Sequence, residues 1–265
     1  IGTEVPSPGG IQGTGTGIAQ GPTVTQTEEA LETIELTHEA FLQHNLGEAW
    51  ERVIALVVQP GVEFSDQVVY PYQPAAASGL SRLIERFERL VYEAHSTDYQ
   101  SPAALKQLVR DHFAILKVGP ALTYAFREAV FALSWIEQEI YHHRSGIELS
   151  ELPDVLVQAM QSQPVFWKDF YQGDPQDSRI FLQYSYSDRC RYYWSQPAVQ
   201  VALKRLFRNL EAAPIPLTLI SQFMPLQYQR ICDHQLGAAP AALVGDRISG
   251  VLDVYTDACL SQIPL

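Results

Sequence analysis

Eight polar residues stand where an apolar run gives way to a loop: Glu4, Gln59, Glu63, Glu93, His95, Ser96, Asp98 and Lys117. Their chemistry suits the binding of a polyol, a phosphate or a metal. Carboxylates accept hydrogen bonds from hydroxyl groups, and lysine and histidine meet phosphate oxygens. Ser96-Thr97 and the helix expected after Gly119-Pro120 could hold an anion with backbone N–H groups. Plainer roles stand beside these. Glu4 caps a loop amide, and Glu93 with Lys117, on neighbouring strands, forms an ion pair that ties strand ends together. No HxH, HExxH or Cys/His cluster supports a metal, so no metal ligand is assigned. No catalytic residue is assigned either. Lys117 is the single candidate for Schiff-base chemistry, and His142-His143, at a helix end, is better placed to satisfy carbonyls. No GxxxxGK[ST] loop or kinase motif set is present, and Gly13-Thr14-Gly15-Thr16-Gly17 has the wrong spacing to cradle a nucleotide.

The elements that must position these residues alternate. Thr25-Gln26-Thr27-Glu28 has capping-box spacing, and Leu31, Ile34, His38 and Phe41 recur at helical intervals, which predicts a helix from about residue 26. Residues 53–58 form an unbroken apolar run, expected for a strand covered on both faces, and Gln59-Pro60-Gly61 stops it. A helix through Leu80, Leu83, Ile84 and Phe87 and a strand over 90–94 repeat the unit. Ser101-Pro102 opens a third helix, residues 113–118 the next strand, and Gly119-Pro120 a long helix after it. Beyond residue 145 only helical patterns recur, at 152–160, 165–171, 199–210, 220–231 and 243–259, with aromatics that mostly pack the core and partly offer partner anchors.

Strict alternation selects the α/β class and, within it, a (β/α)₈ TIM barrel whose N-terminal half is absent: three strands and the stump of a fourth near Ile1. The expected domains are the C-terminal half of the barrel over 1–145 and an α-helical C-terminal extension over 146–265. In such a barrel the eight polar residues surround one mouth.

The composition, 46% hydrophobic and 18% charged over 265 residues, supports a substantial core. A net charge of -12 disfavours nucleic acid and anionic membranes as partners. No apolar run approaches the roughly 20 residues that span a bilayer, and three widely spaced cysteines suggest neither a disulfide framework nor a zinc site. A cytoplasmic location is expected.

IGTEVPSPGG at 1–10, VIALVVQPGVEF at 53–64, VYEAHSTDYQ at 91–100 and RDHFAILKVGPALTYAFREAVFAL at 110–133 closely resemble the Z-type subunit of class II tagatose-1,6-bisphosphate aldolase. YSYSDRCRYYW at 184–194, IPLTLISQFMPLQYQRI at 215–231 and VLDVYTDAC at 251–259 extend the resemblance over nearly the whole chain. It implies a non-catalytic subunit that stabilises and fully activates a catalytic aldolase partner in galactitol or N-acetylgalactosamine breakdown. Members have also been labelled tagatose-6-phosphate kinases, so an enzyme acting on sugar phosphates alone is the alternative. The resemblance implies that zinc belongs to the catalytic partner and that this chain carries no cofactor. It places Pro60 and Glu93 where two of the partner's zinc histidines would stand.

Overall fold

The structure, a computed structural model, describes residues 1–2, 21–171 and 175–260. Packing divides the chain into two units, Ile1–Gly119 with Asp253–Leu265, and Pro120–Leu252.

The first unit begins with α1 (Thr27–Gln43) and α2 (Gly47–Trp50), then β1 (Ala55–Val58). A small hairpin, β2 (Glu63–Phe64) and β3 (Val69–Tyr70), follows, then α3 (Pro74–Ile84), β4 (Val91–Ala94), α4 (Pro102–Arg110) and β5 (Phe113–Leu116). The three long strands form a parallel sheet in the order β1-β4-β5, with Val57 opposite Glu93 and Ala94 opposite Leu116. Gly2 bridges Val57 in parallel at the sheet's other side. Glycine is required there by space, since an added Cβ would lie 3.0 Å from the Val57 Cβ.

Leu56, Val58, Tyr92, Ala94 and Phe113 bury one sheet face completely, against Leu80 and Ile84 of α3 and Leu105 and Leu108 of α4. The other face, with Val57 and Ile115, is only half covered by the described residues, and Ile54 is exposed. Burial therefore alternates along β1, where the unbroken apolar run predicted two covered faces. Local signals explain the helix starts. Ser101 accepts a hydrogen bond from the Ala104 N–H at 3.1 Å, and Pro102 supplies a preset φ at the first helical position. The capping pair of α1 is shifted by one residue from expectation: Gln26 N–H donates to Glu29 at 3.1 Å, while Thr25 bonds to Gln59.

The second unit is helical: α5 (Pro120–Tyr141), α6 (Leu152–Ser162), α7 (Pro175–Tyr184), α8 (Pro197–Glu211), α9 (Leu217–Phe223), α10 (Pro225–Cys232) and α11 (Pro240–Leu260), whose last turns from Asp253 belong to the first unit. Its core joins Leu133 and Ile136 of α5, Leu156 and Met160 of α6, Tyr193, and Leu206 of α8. Inside it Arg127 Nε–H donates to Asp188 at 2.8 Å, and Thr123 donates to the other carboxylate oxygen at 2.6 Å.

The α/β class holds, but the sheet is open and the described residues do not close a complete (β/α)₈ barrel. The expected division at 145 differs from the packing, which places α5 with the helices that follow it, because Leu133 and Ile136 pack in their core. The helix expected over 220–231 is two helices, broken where Pro225 removes an N–H after Met224. Residues 165–171 form only a short 3₁₀ segment, Pro164–Phe166, and turns.

Candidate functional site

The strand ends sort the predicted residues into two groups. Gln59, Glu63, Ser96 and Asp98 are buried. Gln59 lies just past β1, where its backbone pairs with Thr25 in both directions and its side-chain oxygen accepts the Gly61 N–H at 2.7 Å. Gly61 has a φ of 92°, which a side chain would strain, and a Cβ there would press on Val24. Glu63, at the start of β2, accepts the Phe64 N–H at 2.9 Å through one oxygen and the Ser96 hydroxyl at 3.0 Å through the other. Asp98 accepts the Gly119 N–H at 2.9 Å. That amide, directly ahead of α5, was a candidate phosphate donor; a carboxylate of the protein holds it instead, in keeping with the preference of helix starts for negative charge.

Glu93, His95 and Lys117 remain partly open. Glu93 projects from β4, on the half-covered face, and its Oε1 meets both His95 Nε2 and Lys117 Nζ at 2.9 Å. Side-chain exposure rises from 17% at Glu93 to 27% at His95 and 56% at Lys117, so the cluster points its cation toward solvent. Burial alone would raise the Glu93 pKa, but hydrogen bonds and charge from Lys117 and His95 outweigh it and hold the carboxyl below its ordinary value. The ion pair expected between Glu93 and Lys117 is thus formed. Lys117 lacks the burial that prepares a lysine for Schiff-base chemistry. Glu4 lies outside the described residues.

The loop between the two groups is strained. Ser96 and Tyr99 adopt φ of 55° and 62°, in the left-handed region that non-glycine residues seldom occupy. Several bonds hold this conformation. Thr97 donates its hydroxyl to Lys117 O at 2.7 Å, Gln100 bonds both Tyr70 O and Tyr72 N–H, and Tyr255 of α11 donates to Thr97 O at 2.8 Å. Sequence reasoning missed Tyr255 and Gln100, whose partners lie far along the chain. Both stood within segments that carry the resemblance, Gln100 in VYEAHSTDYQ and Tyr255 in VLDVYTDAC.

Chemically, one carboxylate, one imidazole and one ammonium can bind hydroxyls or a phosphate oxygen. They do not make a zinc site. Glu93 and His95 supply two donors, Pro60 has no ligating side chain, and among the described residues no three His, Cys, Asp or Glu side chains converge as metal ligands.

Parallel strand-helix units, with a polar cluster at the strands' C-terminal ends, define a protein of the α/β class. The chain belongs to the GatZ/KbaZ-like family of D-tagatose-1,6-bisphosphate aldolase subunits, whose family profile matches residues 1–260. It is also similar to a solved structure described as a probable tagatose 6 phosphate kinase from Sinorhizobium meliloti 1021, with 40% identity and a TM-score of 0.83 over 89% of this chain. The chain spans 60% of the length of that protein. Among the described residues no helix is long and apolar enough to cross a membrane.

Proposed function

We propose that this chain is a non-catalytic accessory subunit of tagatose-1,6-bisphosphate aldolase that supports the stability and full activity of a catalytic class II subunit. It would act in the cytoplasm, in the breakdown of galactitol or N-acetylgalactosamine. In this reading its three strand-helix units are part of a (β/α)₈ barrel and the later helices are an extension of it. The observation that carries the reading is Glu93: at a strand end where the resemblance calls for a zinc histidine in the catalytic relative, a carboxylate is instead engaged by Lys117 and His95. With Pro60 at the second such position, the Lewis acid that stabilises an enolate would reside in the partner. What this chain's own residues offer is binding. Lys117 and His95 can meet a sugar phosphate, and the buried Glu63–Ser96 and Asp98–Gly119 contacts fix the loop that carries them.

The test is to co-express the full-length protein with a catalytic subunit and follow cleavage of tagatose 1,6-bisphosphate after heating. The expected result is a longer half-life and higher activity than the catalytic subunit shows alone; equal half-lives and activities refute the accessory role. A second reading, a tagatose 6-phosphate kinase, is favoured by the description of the Sinorhizobium meliloti protein. Against it stand the lack of a nucleotide phosphate loop in the sequence and the engagement of the Gly119 amide by Asp98. Turnover of tagatose 6-phosphate with ATP by the isolated full-length protein would establish the kinase and displace the accessory role.

A further inference from the structure

A sugar phosphate can be gripped by its phosphate or by its hydroxyls, and the two demand different groups. A phosphate oxygen only accepts hydrogen bonds, so it needs donors and positive charge. A hydroxyl both gives and takes, so it needs an acceptor beside a donor. The donors that an anion would use at these strand ends are already engaged. The Ser96 hydroxyl donates to Glu63, the Thr97 hydroxyl to Lys117 O, and the Gly119 N–H to Asp98. The Lys117 ammonium stands 2.9 Å from the Glu93 carboxylate, which offsets its charge. With its pKa below the ordinary value, Glu93 is ionised at neutral pH. The net charge of -12 adds a field that opposes a further anion.

What stays open is a mixture of acceptors and donors. Glu93 uses only Oε1, for both His95 Nε2 and Lys117 Nζ, and its Oε2 has no hydrogen bond among the described residues. An ionised carboxylate has no hydrogen to give, so His95 donates through Nε2–H, and in the neutral ring Nδ1 is left as an acceptor. Lys117 keeps further N–H donors on a side chain more than half exposed. We propose that this cluster reads the vicinal hydroxyls of a ketose or polyol, one hydroxyl donating to Glu93 Oε2 while its neighbour accepts from Lys117, and that the phosphate of a phosphorylated sugar lies away from these three residues. The proposal rests on the reading above that the strand ends bind a sugar phosphate, and it names the part of the ligand they hold. Glu93 is then the residue that sets specificity, since the same carboxylate accepts a hydroxyl and repels an anion.

The experiment titrates the full-length protein at fixed pH with D-tagatose and, separately, with inorganic phosphate. NMR follows the His95 ring and the Glu93 carboxyl carbon, which report on the cluster itself. The expected result is a saturable shift with tagatose and binding of phosphate weaker by about tenfold or more. Glu93→Gln keeps the shape of the side chain but releases Lys117 from its counter-charge. In that variant, read from the His95 ring, tagatose affinity should fall about tenfold and phosphate affinity should rise. A preference for phosphate in the unaltered protein, or a tagatose affinity that Glu93→Gln leaves unchanged, overturns the proposal. So does the absence of a shift with either ligand, which would leave the cluster a solvated ion pair. If melting curves show that Glu93→Gln does not fold, the preference of the unaltered protein decides alone. The accessory role is decided separately by the co-expression test, and none of these outcomes alters it.

Discussion

Lys117 meets Glu93 with more than half of its side chain in water, whereas Arg127 meets Asp188 with 2% and 0% of the two side chains exposed. Geometry barely separates them, at 2.9 and 2.8 Å. Solvent does. An exposed pair is screened and contributes little to stability, so its charges remain available to an incoming ligand; a buried pair has lost its hydration and depends on its partner entirely. The strand-end cluster therefore suits recognition, and the pair in the helical unit suits the holding of one loop conformation, with Asp188 itself at a left-handed φ of 45°.

The sharpest way to break this contrast is Asp188→Ala, which leaves Arg127 charged, buried and uncompensated. It is expected to destabilise the protein by about 3–5 kcal/mol in chemical denaturation. A loss below roughly 1 kcal/mol would mean that the two pairs do not differ as described. Next comes Glu63→Ala, which strips the Ser96 hydroxyl and the Phe64 N–H of their acceptor at a fully buried position. A loss of about 1–3 kcal/mol in the same measurement is expected. The smallest stability effect belongs to Lys117→Met, within about 1 kcal/mol, because the ammonium is largely solvated.

The informative readout for Lys117→Met is titration of Glu93 by carbon NMR. With burial less opposed, the Glu93 pKa should rise toward or above its ordinary value; an unchanged midpoint would show that Lys117 does not set it. The sign for stability follows. A folded pKa held below the unfolded one stabilises the protein above the ordinary carboxylate range, and that contribution is lost as pH falls through the folded value. Lys117→Met should therefore flatten the acid side of the stability profile.

Much of the first unit was legible because its signals are local. Apolar runs bounded by Gly-Pro or Pro-Gly mark β1 and β5, and Ser101-Pro102 fixes the start of α4. The β2–β3 hairpin was not legible, since two-residue strands are too short to show alternation. Helix α7 was missed because its opening, Pro175-Gln176-Asp177-Ser178, has turn composition, and the break at Pro225 was overlooked within an otherwise apolar helical pattern. In the site, the pairing of Glu93 with Lys117 could be read from adjacent strands. Which carboxylates would turn inward could not: Glu63 is set by Ser96, 33 residues away, and Asp98 by a main-chain amide. Type and spacing announced polar chemistry, and only packing decided which groups the protein keeps for itself.

The bond from Tyr255 to Thr97 closes a span of 158 residues. A contact that remote is among the last a growing chain can make, since its loop is closed only after nearly everything between has been synthesised. The strand-end loop would thus reach its final shape late, when the end of α11 arrives. Loss of the last turns of that helix would both release the loop that follows His95 and open the core beneath the sheet, where Ala258 is fully buried and Val254 and Tyr255 pack, so the reach of this site is governed from α11.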